Sequence, residues 1–332
     1  MTSARWRILA LGAAMLACVS GCDAGGRRWA GIAAADGGAR IVSLVPSMTE
    51  TLFALGAGPE VVGVSQYCDY PPEVTKLPKV GDFIAPNLEA IVALRPTLVV
   101  GTATASDKRQ IEALNALGIP ALMVNDDSVE EVEGNIITIG DRIGRRSAAD
   151  RLLATIKAQI AAVEARLSGV KPVSVLMVVG HDPLVAVGSG TYLDELVTLA
   201  HGENIGEASQ QTWPRLSLEY LMAVGPQVIL DGQMGSERSV PSSFWARYPS
   251  IPAVREDRVR GYPIDLMLHP GPRIALALQV IARLIHPEAF RGMPEAFGAM
   301  PAAFDQMPES FSGSPDAPHG HGNGDQNSAA RL

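Results

Sequence analysis

The chain has 332 residues, 47% of them hydrophobic, which suffices to fill the cores of one large or two ordinary domains and excludes a disordered or fibrous protein. Lys and Arg number 27 against 35 Asp and Glu, a net charge of −8, and no basic run is interleaved with aromatics. A nucleic-acid partner is therefore not expected.

The first 21 residues read as a processing signal, with Arg5 and Arg7 ahead of an apolar run from Ile8 to Val19. That run is shorter than the roughly 20 apolar residues a spanning helix needs. Its removal takes two arginines and no acid, so the exported chain carries a net charge of −10. Val19-Ser20-Gly21-Cys22 resembles the lipobox of bacterial lipoproteins, whose cysteine becomes the lipidated N-terminus; the other reading is a plain signal peptide with a chance cysteine. With lipidation, Cys22 anchors the chain and residues 22–39, rich in Gly and Ala, form a flexible tether. Asp23 resembles the inner-membrane retention signal of some Gram-negative lipoproteins, which implies the periplasmic face of the inner membrane. Cys18 leaves with the signal and Cys68 then stands alone, so no disulfide within the chain is expected.

From Arg40, short β-branched runs alternate with amphipathic stretches: Ile41 to Val45, Val61 to Val64, Leu98 to Gly101 and Ala121 to Val124. The pattern predicts an α/β lobe over residues 40–143 with a largely parallel sheet. Ser128 and Glu131 have capping-box spacing and open its last helix. Ser147 to Leu167 follows, with Leu152, Ile156, Ile160, Val163 and Leu167 on one helical face and no Gly or Pro inside. It predicts a helix of about 30 Å within a connecting segment, residues 144–170. A second α/β lobe, residues 171–287, begins at Val173 to Val179, continues through Val228 to Leu230 and closes with the apolar helix Ile274 to Ile285. Residues 288–332 are rich in Gly, Pro, Ala, Met and Ser, and no packed structure is expected there. His319 and His321 in this tail leave most coordination positions of a metal empty, so no dedicated metal site is expected.

Residues 87–100 and 217–230 align without a gap at an offset of 130, with Leu88/Leu218, Glu89/Glu219, Ala93/Ala223 and Pro96/Pro226 identical. Both copies read as an N-cap, a short helix, a proline stop and a buried strand, so the lobes look like structural repeats. Glu89 and Glu219 admit two readings. Each complements a helix dipole, worth about 0.3 to 1 kcal/mol, or the pair forms two acidic knobs suited to a two-fold basic partner.

Arg40 to Glu50, Val64 to Pro72 with its Tyr67-Cys68-Asp69-Tyr70-Pro71-Pro72 run, Asn87-Leu88-Glu89 and Trp213 to Glu219 together resemble the cobalamin-binding component of an ABC importer. The similarity spans about Arg40 to Ile285, and the Tyr-x-Asp-Tyr-Pro-Pro run is its most specific part. The long helix and the Leu-Glu repeats are shared with the wider family that also carries iron-siderophores and haem. The resemblance implies two Rossmann-like lobes joined by one long rigid helix, a ligand cleft between them, and a monomer that makes no bonds. It implies a corrinoid as transported ligand rather than resident cofactor, and delivery to an ABC permease dimer with its ATPase subunits. On it, Glu89 and Glu219 engage arginines of the two permease subunits.

A corrin is broad, apolar on its faces and fringed with amides, so its cleft needs flat aromatic walls and scattered polar groups. Tyr67, Phe83 and Trp213 fall where the resemblance implies wall residues, with core packing the other reading for each. Asp265 and His269 lie in a loop before the last helix that resembles the family's polar ligand-contacting loop, although the family often has arginine where His269 stands. A neutral imidazole there makes a polar contact, coordinates cobalt or iron, or serves structure alone. His181 follows the first strand of the second lobe, where α/β proteins put ligand contacts, and a simple turn explains it equally. Cys68 is expected partly buried, or at the cleft rim. The alternative cargo is a ferric siderophore or haem; a more distant alternative is a cell-envelope enzyme using His181, Asp265 and His269. Gly188-Ser189-Gly190 lacks the third glycine of a dinucleotide fingerprint, and neither a Gly-x-Ser-x-Gly nor a His-Glu-x-x-His motif occurs.

Overall fold

A strand buried on both faces reads as an unbroken apolar run, and Leu98–Thr102 is buried at every position. In the computed structural model, which describes residues 38–82, 84–103, 108–232 and 244–292, this strand is the interior of a parallel sheet. The first lobe comprises β1 (Ile41–Ser43), α1 (Pro46–Ala54), β2 (Val61–Val64), α2 (Leu88–Ala93), β3 (Leu98–Thr102), α3 (Lys108–Ala116), β4 (Ala121–Val124) and α4 (Val129–Arg142). Its strands run parallel in the order β2-β1-β3-β4, Ile41 pairing with both Val61 and Leu98. The first apolar run ends earlier than its sequence suggests. Val45 is already the N-cap of α1, because Pro46 brings a fixed helical φ and needs no hydrogen-bond partner at the first helical position.

Helix α5 (Arg146–Leu167) carries Ala149, Leu152, Ile156, Ile160, Val163 and Leu167 on one buried stripe. At 1.5 Å per residue it spans about 33 Å. Each end is fastened to a different lobe. The N-cap Arg145 donates to the carbonyls of Leu55 and Gly56 and pairs with Glu60 at 2.5 Å, while Arg166 Nε donates at 2.6 Å to the carbonyl of Ala289. Ala289 lies in a turn, Pro287–Phe290, that packs Phe290 into the core and so carries the second lobe a few residues past the boundary at 287 expected from composition.

The second lobe continues with β5 (Val173–His181), β6 (Leu184–Ala186), α6 (Tyr192–Leu199), β7 (Gly202–Asn204), α7 (Leu218–Val224), β8 (Val228–Gly232), α8 (Pro252–Arg255), β9 (Val259–Tyr262), α9 (Ile264–Leu268) and α10 (Ile274–Ile285). Strands β5, β8 and β9 are parallel neighbours; β7 pairs parallel with the start of β5 and β6 antiparallel with its end. Alternate residues of β5 serve different cores. Val175 and Met177 join the large core that runs through both lobes and α5, whereas Leu176 and Val178 pack with Leu221, Ile229 and Trp245 on the other face. The molecule is thus two α/β lobes on one long helix, as the sequence pattern implies. No helix among the described residues is long and apolar enough to cross a membrane.

Candidate functional site

Parallel sheets concentrate their variable loops, and hence ligand contacts, beyond the carboxyl ends of their strands. Here the lobes meet through such segments. Glu50 of α1 is fully buried and faces Arg273, with Nε 2.7 Å from Oε2 and the second guanidinium nitrogen on Oε1. The Arg273 guanidinium also lies 4.3 Å above the Tyr70 ring. A Cβ on Gly271 would stand 3.2 Å from the Ser47 carbonyl oxygen, which shows how closely the loop before α10 rests on the start of α1. A second contact between the lobes has Glu195 of α6 accepting from the Val129 N–H at 2.8 Å, and Ser128 caps α4 by accepting from the Glu131 N–H. Burial, reinforced by Asp127 and Glu131, pushes the neighbouring Asp126 carboxyl up to about 6.

His269, at the end of α9, belongs to the first of these contacts: its Nδ1 is 3.6 Å from Glu50 Oε1, too far for a hydrogen bond. Asp265, in the first turn of α9, is exposed. His181 has a different acidic partner. Its Nε2 is 2.9 Å from both carboxylate oxygens of Asp231, which also accepts from Trp245 Nε1 at 2.7 Å. The imidazole lies flat on Phe244, with centroids 4.3 Å apart and planes 9° from parallel. Burial pushes the Asp231 carboxyl up, opposed by Trp245 and His181. A carboxylate accepts, so Nε2 carries the proton and Nδ1 of a neutral ring is left as an acceptor. The His181 side chain keeps 25% exposure at the end of β5. Among the described residues, no three His, Cys, Asp or Glu side chains converge as a metal ion requires.

Tyr67 and Trp213 are large aromatics left 48% and 42% exposed, and each sits on a loop with a firm anchor. Beside Tyr67, Cys68 is buried among Thr49 and Ser65, whose hydroxyls lie 3.2 Å from its sulfur, and Lys79 donates to its carbonyl at 2.6 Å. Burial raises the thiol's pKa. Cys68 is therefore an anchor within the core rather than a group on a rim. The Trp213 loop is laced to β6 and the residues after it through Ala186 N–H to Pro214 O, Gly188 N–H to Thr212 O and Leu216 N–H to Leu184 O. Gly188 permits this approach, since a Cβ there would stand 1.9 Å from the Gln211 carbonyl oxygen.

Glu89 and Glu219 are exposed in the first turns of α2 and α7, behind side-chain caps from Asn87 to Ala90 N–H and from Ser217 to Tyr220 N–H. Cys22, Phe83, His319 and His321 lie outside the described residues. Sequence reasoning missed Glu50, Arg273 and Asp231. The signals for them were the one charged residue of a helix that buries Met48 and Leu52, a guanidinium just ahead of the apolar α10, and an acid closing the buried run of β8.

The sequence profile of the family described as "Periplasmic binding protein" matches residues 41–266. The chain is 30% identical over 246 residues to the "Vitamin B12-binding protein" of Salmonella choleraesuis, covering 74% of this chain and 90% of that one. It is 32% identical over 260 residues to the ABC transporter substrate-binding lipoprotein YvrC of Bacillus subtilis, covering 76% and 81%. Among solved structures, the periplasmic heme-binding protein RhuT of Roseiflexus sp. RS-1 in apo form matches with TM-score 0.69 and 31% identity, over 76% of this chain and 99% of that one. The periplasmic vitamin B12 binding protein BtuF of Vibrio cholerae matches with TM-score 0.67 and 25% identity, over 76% and 98%.

Proposed function

Because the chain belongs to the periplasmic binding protein family, we propose that it captures a corrinoid, cobalamin or a close relative, outside the cytoplasm and delivers it to an ABC permease. The observation that supports this ligand most directly is the 30% identity, over nine-tenths of its length, to a protein named for vitamin B12 binding. The exposed aromatics Tyr67 and Trp213 suit a flat macrocycle, and His181, Asp265 and His269 supply polar partners for its amides. In this reading Phe83 adds a third aromatic wall, and Cys22 carries a lipid that holds the protein at the outer face of the inner membrane. YvrC, a relative named a lipoprotein, supports the anchor.

Function here is binding followed by release. Glu89 and Glu219, exposed at equivalent places on the two lobes, engage cationic side chains on the two permease subunits. Charge reversal at both, Glu89→Lys with Glu219→Lys, should leave ligand affinity intact and abolish uptake.

The 31% identity to RhuT favours haem as the second reading. An absorbance titration of the purified protein with cyanocobalamin, cobinamide, haemin and a ferric catecholate separates the two. Tightest binding of a corrinoid, weakened by Tyr67→Ala and Trp213→Ala, is the expected result. Tighter binding of haemin transfers the assignment to the second reading.

A further inference from the structure

The two acidic helices agree in more than their glutamates. Residue by residue, Asn87 to Ala93 run exposed, half-buried, exposed, half-buried, buried, exposed, exposed, and Ser217 to Ala223 repeat that order. Each helix is held by one fully buried side chain, Ile91 or Leu221, itself an equivalent pair at the offset of 130. One position further on, each leaves a large apolar side chain in solvent: Val92 at 39% exposure and Met222 at 43%. Both stand three residues after the glutamate, so on each helix the carboxylate and the apolar group share one outward face.

A single exposed hydrophobic residue needs no explanation. Only seven large hydrophobics are exposed among the described residues, however, and two of them occupy one repeat position beside the matched carboxylates. We infer that Val92 and Met222 are apolar anchors of the permease-docking surface, each entering a recess that borders the cation met by Glu89 or Glu219. This rests on the docking reading of the two glutamates. The partner is a two-fold membrane subunit pair, because equivalent knobs on two lobes require equivalent sockets. Its sockets are mixed, a guanidinium or ammonium group against an apolar hollow, because the knobs are mixed. Charge governs encounter, and burial of Val92 and Met222 slows departure. Val224 is also exposed, but its counterpart Leu94 is half-buried, so it lies outside the symmetric pattern.

The test measures binding of the cargo-free protein to its own permease–ATPase complex in nanodiscs, at about 0.15 M and about 0.5 M NaCl. Val92→Ser with Met222→Ser should weaken binding by about tenfold or more at both salt concentrations, mainly through faster dissociation. Glu89→Lys with Glu219→Lys should weaken it most at low salt. Leu117→Ser, an exposed apolar residue that belongs to neither helix, should change nothing, and thermal melts should coincide for all variants. Serine variants within about twofold of the parent at both salts, with the glutamate variant impaired, overturn the anchor assignment alone. A glutamate variant that binds like the parent, or a parent that does not bind, overturns the docking reading and the anchors with it.

Discussion

Arg273 sets its guanidinium fork on Glu50, with Nε 2.7 Å from Oε2, and so ties the loop ahead of α10 to the first helix of the opposite lobe. Both side chains are buried, and the arginine is roofed by Tyr70. A buried pair adds little over an apolar substitute, but removing one member strands the other charge. Arg273→Met should therefore lower stability by about 3–5 kcal/mol, measured by urea denaturation. Adding Glu50→Gln should recover part of that loss; a single mutant within error of the parent refutes the latch.

Two direct contacts, Glu50 with Arg273 and Val129 with Glu195, join lobes already fastened to opposite ends of α5. Cargo capture should thus change the radius of gyration by less than about 1 Å, against the larger compaction of a hinge-closing domain pair. Small-angle scattering with and without saturating cyanocobalamin checks this.

Asp126 gives stability a pH dependence. The folded chain keeps its proton up to about pH 6, while the unfolded chain releases it near 3.8. Between those values the unfolded state sheds its proton first, so stability falls as pH rises and the penalty is complete above about pH 6. Asp126→Asn should match the parent near pH 3.5 and exceed it at pH 7 by about 1–2 kcal/mol, less than a full two-unit shift because the side chain is partly exposed. Paired denaturation curves across that range show whether the gap opens.

Gly188→Ala should disturb cargo binding from a position without side-chain chemistry of its own. Its Cβ would occupy the space of the Gln211 carbonyl, so the loop carrying Trp213 must move away from β6. Affinity should fall about tenfold and stability by about 1–3 kcal/mol. Unchanged titration curves would show that Trp213 is dispensable.

Periodicity alone determined the architecture. Leu152, Ile156, Ile160, Val163 and Leu167 recur at helical spacing and allow one long helix, and the runs at Leu98 and Val175 leave no polar face for a half-exposed strand. The duplicated Leu-Glu segments exposed the two-lobed symmetry as well, because a short helix with a cap and a proline stop is specified by neighbours in the chain. Other features arise between residues far apart in sequence. Glu50 and Arg273 are 223 positions apart and His181 and Asp231 are 50 apart, and no local pattern announces which charge a buried carboxylate will meet. Cys68, adjacent to an exposed tyrosine, was drawn into the core by Thr49 and Ser65. Local propensity and hydrophobic spacing write secondary structure into the chain, whereas desolvation of paired charges is decided only when distant segments come into contact.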